Sequence, residues 1–228
     1  MTAFPVTIER HAQIYVVRDD LVPGGTKRRV LPELLAGACE YVYASPAYGY
    51  AQIALAHGCR EVGAHATIFT AKRKTMHPRT LEAKAAGATV VMVPTGYLTN
   101  VQAKASEYCR TTGAVLMPFG FDSPEFQARL AAIARGIDIL PKEVWTVAGS
   151  GTLCRALMAA WPAAAFHAVQ VGKLPRCTGA RLLVAPEPFE RDAMLPPPFP
   201  SCSNYDAKAW RFVARLASPG ALFWNVAA

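Results

Sequence analysis

The chain has 228 residues, 52% hydrophobic and 18% charged, with no low-complexity tract, which excludes an intrinsically disordered protein beyond the termini and the proline-rich residues 195–200. No apolar stretch reaches the roughly 18 residues a membrane span needs, and MTAFPVTIERHAQ carries charge where a signal peptide is apolar, so a cytoplasmic protein off the membrane is expected. Lys and Arg total 24 against 16 Asp and Glu, a net charge of +8 that favours anionic ligands.

In chain order, EYVYAS (residues 40–45) is a short β-prone run ending in a turn, and YAQIALAH (50–57) has helical character with Gly58 as the stop. Residues 66–69 form the next short apolar run, 78–86 a helix stopped by Gly87, and TVVMV (89–93) a buried strand. A helix over 100–108 and a strand over 114–118 follow. The helix over 124–135, with Ser123 as its N-cap, is expected to be the longest. A strand over 144–147 runs through AGSGT into a helix over 153–161, and 165–171 supplies a further strand. Such alternation predicts an α/β fold of parallel sheets covered by helices, with ligands at the carboxyl ends of the strands. The length suits one compact unit over 1–228, with a small lobe at about 40–118 inserted in the larger one.

Cys39, Cys59, Cys109, Cys154, Cys177 and Cys202 are scattered, with no CxxC and no histidine at zinc-ligand spacing. They read as reduced thiols, and no metal site is expected. The basic runs Lys27-Arg28-Arg29 and Lys72-Arg73-Lys74 are either solvated surface or contacts to phosphate or nucleic acid.

Two motifs carry candidate chemistry. In Gly149-Ser150-Gly151-Thr152, between a strand and a helix, glycines let backbone N–H groups approach an anion at the positive helix end, and two hydroxyls add donors. The turn lacks the Lys-Ser/Thr ending of a P-loop and is not GxGxxG. Lys27 follows Gly24-Gly25-Thr26 and precedes VLPELLAG, so it reads either as a Schiff-base lysine or as part of a basic edge loop; spacing leaves both open.

GGTKRRVLPELLAG resembles the lysine segment of the fold-type II enzymes of pyridoxal 5'-phosphate (PLP), the tryptophan synthase β-like group. Its aminocyclopropane-carboxylate deaminase and D-cysteine desulfhydrase branch is the most similar. YASPAYGYAQIALAHGC resembles that group's serine and asparagine loop with its helix, ATIFTAKRKTMHPRTLEAKAAGATVVMVP the next strand-helix-strand, and VAGSGTLCRAL the phosphate turn. Residues 204–209 (NYDAKA) are similar to the branch's V-Y-x-G/A-K-A segment, and ALFWNVA to its closing strand. The segments fall in the family's order from about Gly24 to Val226.

The resemblance implies a compact fold with a cofactor cleft, PLP held on Lys27, and Lys27 as the base that moves the Cα proton. It implies Gly149, Ser150, Gly151 and Thr152 around the phosphate, Tyr205 beside cofactor and substrate, and Asp206 facing the pyridine nitrogen. Arg28 and Arg29 would lower the Lys27 pKa. Without the resemblance, Tyr205 reads as a packed aromatic at a helix start and Asp206 as a helix-terminal charge. The implied activity is that of a lyase: decarboxylation, deamination or elimination at the Cα of an amino acid.

The chain departs from the family at Ser45-Pro46-Ala47-Tyr48-Gly49-Tyr50. Tyr48 stands where the cofactor-contacting asparagine is expected, and Thr26 replaces the asparagine beside the lysine. Ser45 and Tyr48 remain candidates through their hydroxyls. The chain is shorter than usual members, compressed between Gly172 and Pro200. Short PLP proteins resembling this group occur in bacteriophages that hypermodify thymine, which implies a glycyl-type adduct on DNA as substrate, acted on in the host cytoplasm. Family members are often homodimers; Trp210, Phe212, Phe223 and Trp224 read as core or partner-facing. The competing readings are a non-catalytic protein that kept the PLP fold or binds DNA, and a phosphoribosyltransferase, whose two acids before the loop are replaced here by Trp145, Thr146, Val147 and Ala148.

Overall fold

A computed structural model describes residues 4–35, 37–94, 96–172 and 174–228; the first three residues of the N-terminal stretch, Ala36 of VLPELLAG and Lys173 of the compressed region lie outside it. The chain forms two units, one from Met1–Thr26 and Asp122–Ala228, the other from Lys27–Phe121.

The first unit opens with β1 (Ile8–His11) and β2 (Ile14–Arg18), an antiparallel pair. The chain then passes from Thr26 to Lys27 into the second unit. There α1 (Leu31–Leu34), β3 (Glu40–Ala44), α2 (Ala51–Val62), β4 (His65–Ala71), α3 (Pro78–Ala85), β5 (Thr89–Val93), α4 (Leu98–Thr112) and β6 (Val115–Leu116) build a sheet in the order β5-β4-β3-β6. All its pairs are parallel. Val42 and Ala44 of β3, Phe69 of β4 and Val93 of β5 bury with Val101 and Ala105 of α4.

From Asp122 the chain completes the first unit with α5 (Pro124–Arg135), β7 (Glu143–Ala148), α6 (Thr152–Ala160), β8 (Ala165–Gln170), β9 (Arg181–Val184), α7 (Ala207–Leu216) and β10 (Leu222–Asn225). The sheet order is β1-β2-β10-β7-β8-β9, parallel except at β1. Every residue of β10 is buried, as a central parallel strand requires when both sheet faces are covered. Phe223 and Trp224 lie fully in the core, while Trp210 and Phe212 are partly exposed.

Parallel sheets flanked by helices are as expected, but several boundaries and roles differ. Helix α2 runs through Gly58 and ends at Gly63, whose φ of 72° makes the left-handed cap. At Gly58 a Cβ would lie 3.0 Å from Leu31 Cβ and 3.1 Å from Leu35 Cδ1, so this glycine serves close packing. Strand β5 is a sheet edge, with Thr89 and Met92 exposed, rather than a buried strand. Helix α4, at 15 residues, exceeds the 12 of α5. The Ser123 cap stands, its Oγ accepting from the Phe126 N–H at 3.2 Å. The proline-rich run is anchored, since Phe199 is buried against His11, Trp210 and Phe223. No described helix is long and apolar enough to cross a membrane.

Candidate functional site

Strand β7 ends at the buried Ala148, and the chain turns through Gly149, Ser150 and Gly151 into α6. Gly151 caps the helix with a φ of 86°, and a Cβ there would lie 2.3 Å from the Arg176 carbonyl oxygen. Only glycine fits both the dihedral and the neighbouring backbone. The Arg176 N–H donates to Ser150 O at 3.1 Å, and the Arg155 guanidinium donates to Arg176 O and pairs with Asp122. One side of the turn is thus fixed by protein. Ser150 Oγ and Thr152 Oγ1 are hydrogen-bonded at 2.9 Å, so two hydroxyls sit together at the helix start. Glycine backbone, paired hydroxyls and the first turn of a nine-residue helix match what a phosphate ester requires.

Gly149 meets the second element. Its N–H donates to Tyr205 Oη at 2.8 Å, and a Cβ on Gly149 would lie 3.1 Å from that oxygen. Burial first, and then the negative charge of Asp206, push the Tyr205 hydroxyl above the usual tyrosine range. Asp206 is fully buried and stands at the N-cap of α7 without its side chain capping the helix. A buried carboxylate that does not cap its own helix suits a buried cationic partner such as a protonated pyridine nitrogen. Lys208, two residues on, is a buried amine. Its Nζ donates to the carbonyls of Pro188 at 2.8 Å and of Glu187 and Phe189 at 3.4 Å, which assigns it to holding that segment.

Lys27 follows a loop fixed by the closing strand. Gly25 has a φ of 70°, and its Cβ would lie 2.3 Å from Val226 O, which also accepts the Thr26 N–H at 3.0 Å. Thr26 Oγ1 donates to Asp19 Oδ2 at 2.7 Å; Trp224 Nε1 donates to the same oxygen at 2.8 Å and lies 3.0 Å from Thr26 Oγ1. All three residues are buried. Thr26, where the family's asparagine is expected, is therefore a buried anchor that sets where Lys27 begins. Lys27 is partly exposed on a 3-10 turn over Thr26–Arg29. Arg28 and Arg29 are buried, which rules out for them the solvated-surface alternative. Arg28 pairs with Glu61, and that opposing charge weakens its expected effect on Lys27.

The loop after β3 begins at Ser45, which is buried; its N–H donates to Phe69 O at 2.8 Å and its Oγ to Pro46 O at 2.9 Å. Gln52, unremarked in the sequence, shapes this loop. It is fully buried on the first turn of α2, and its Nε2 donates to Ala47 O at 3.1 Å and Gly49 O at 2.9 Å. An amide two residues inside a helix that follows a Ser-Pro loop was the available signal. The Tyr48 ring is partly buried, 4.4 Å from the His77 ring and 5.1 Å from the Arg73 guanidinium carbon, and its carbonyl accepts from Arg79. The structure therefore brings Gly149, Ser150, Gly151 and Thr152 together with Tyr205 and Asp206 in one unit, and Ser45 with Tyr48 in the other, whose first residue is Lys27.

No protein-family model matches the sequence, and no curated protein matches it. Solved structures do match. An ACC deaminase homologue superimposes with a TM-score of 0.81 at 14% identity, over 99% of this chain and 90% of that one. The fold is that of the fold-type II PLP enzymes. The same fold-type II likeness extends to O-ureido-L-serine synthase, with a TM-score of 0.72 at 16% identity over 100% of this chain and 89% of that one. It extends also to the diaminopropionate ammonia lyase of Escherichia coli, with a TM-score of 0.66 at 14% identity over 94% and 77%. Likeness at such identity establishes the fold; cofactor and reaction rest on the residues themselves.

Proposed function

We propose that the chain is a PLP-dependent lyase acting at the Cα of an amino acid or amino-acid adduct. The observation that carries this reading is the Gly149–Tyr205 hydrogen bond, which joins the glycine turn to the segment bearing the buried Asp206. Lys27 holds the cofactor and moves the proton at Cα. Gly149, its N–H held by Tyr205, opens the turn in which the backbone of Gly151 and the hydroxyls of Ser150 and Thr152 would bind the cofactor's phosphate, and Asp206 would pair with the pyridine nitrogen. Tyr205 lines the ring, while Ser45 and Tyr48 meet the substrate. PLP, when bound, supplies an electron sink for negative charge at Cα, and a carboxylate at the ring nitrogen deepens that sink.

A threonine deaminase and an ammonia lyase share the fold, which favours deamination or elimination as the reaction class. Within the proposal, the substrate is an amino acid carried on a larger anion; the specific form we put forward is a glycyl-type thymine in DNA, from which the carboxylate rather than the amine would be lost. Its support is the net charge of +8 and a Tyr48 ring flanked by Arg73 and His77 where an asparagine was expected. Incubation with free amino acids and, separately, with DNA bearing aminoacylated thymine, followed by assay of released ammonia and carbon dioxide, tests the choice. Turnover of free amino acids alone would remove the DNA substrate.

A further inference from the structure

The loop leaving β4 carries Lys72, Arg73 and Lys74 in succession, all exposed, and none makes an ion pair among the described residues. Read from sequence, the run is either a solvated surface or a phosphate contact. The structure shows Arg73 held. Its guanidinium carbon lies 5.1 Å from the centre of the Tyr48 ring, and the His77 ring packs against that same tyrosine at 4.4 Å. Beside it, Arg79 lies 5.4 Å from the Tyr50 ring centre and donates to the Tyr48 carbonyl. Burial first, then Arg79 and Arg73, lower the His77 pKa, so the positive charge resides on the lysines and arginines. The acid facing Arg79 from α3 is Glu82, whose own pKa is raised by burial.

Cation–π contact fixes a guanidinium over a ring, which reduces the ordering cost when it meets a phosphate. Exposed cations interleaved with aromatic rings form the pattern that tracks single-stranded nucleic acid. A membrane surface fits less well, because an interfacial segment needs apolar side chains to insert and residues 72–75 expose only Lys, Arg, Lys and Thr.

We infer that Lys72 and Lys74, with Arg73 braced on Tyr48, form a docking surface for the phosphodiester backbone of single-stranded nucleic acid. The inference shares the nucleic acid with the proposed function and does not require the cofactor.

The test is anisotropy of a labelled oligothymidine against salt concentration, for the full chain and three variants. With three phosphate contacts at a slope of about 0.7 each, the K72A/R73A/K74A variant loses about 2 from the slope of log affinity against log salt. The same contacts make it about 50-fold weaker near 0.15 M salt. Arg73→Lys keeps the slope and loses affinity, because it retains the charge and loses the planar stack. Lys104→Ala removes an exposed charge on α4 and changes neither quantity. An unchanged slope in the triple variant overturns the inference, as does an equal loss in Lys104→Ala or binding to phosphatidylserine vesicles or polyglutamate in place of the oligonucleotide. Cofactor uptake, read from the visible band of the same samples, is separate. Oligonucleotide binding with these slopes in protein that takes up no PLP would sink the proposed activity and leave the surface; a yellow protein with no such slopes would do the reverse.

Discussion

The Tyr205 hydroxyl accepts a hydrogen bond from the Gly149 N–H at 2.8 Å, so the residue opening the glycine turn and the residue preceding Asp206 are directly joined. Tyr205→Phe removes the acceptor and keeps the ring. Stability should fall by about 1 kcal/mol, the usual worth of such a bond, measured as a lower urea midpoint in cofactor-free protein. PLP affinity should fall as well, because the turn loses its link to the Asp206 segment.

Gly151→Ala places a methyl group 2.3 Å from a backbone oxygen at a φ of 86°. Backbone cannot yield as a side-chain tip does, so a loss of about 2 kcal/mol or more is expected, with failure to bind PLP tightly. Gly63→Ala is the comparison. Its φ is 72° with nothing within 4 Å, so strain alone operates and cofactor affinity should hold.

Asp19→Ala leaves the Thr26 hydroxyl and the Trp224 indole N–H without their shared carboxylate. Two charge-assisted bonds are lost in a buried site, a cost of roughly 3 kcal/mol. Since Thr26 precedes Lys27, the rate at which PLP joins the lysine should fall too. Thr26→Val removes the Thr26–Asp19 bond and the Trp224–Thr26 contact but leaves Trp224 donating to Asp19, so about half the loss is expected in a denaturant titration.

His167 has its pKa lowered, first by burial and then by Arg181, against an opposing pull from Glu143. The unfolded chain therefore binds a proton that the folded chain refuses. The stability contribution is complete above the unfolded value of 6.5 and is lost as pH falls below it towards the folded value. His57 and His77 are shifted the same way. Urea unfolding should give lower stability at pH 5.5 than at 7.5, and His167→Gln should flatten part of that slope.

The alternation of strands and helices made the parallel sheets legible, because buried parallel strands read as apolar runs such as those of β7 and β8. Ser123 was legible because an N-cap acts within three residues. Gly58 was misread as a stop, since its role depends on Leu31 and Leu35, far from it in sequence. The same distance hid the anchoring of Thr26 by Asp19 and Trp224 and the Arg176 backbone against Gly151. Strand β9 escaped notice because its apolar run, Leu182-Leu183-Val184, is short, has no helix before it and lies at a sheet edge. Gln52 was passed over because a buried amide between apolar residues has no periodic signature.

The central claim, PLP on Lys27, is tested by absorbance of purified protein after exposure to PLP, followed by borohydride reduction and peptide mass mapping. The account predicts a yellow protein whose reduced phosphopyridoxyl group maps to Lys27, lost in Lys27→Ala and retained in Lys72→Ala. A colourless protein, or a label on Lys208 or another lysine in place of Lys27, would contradict it.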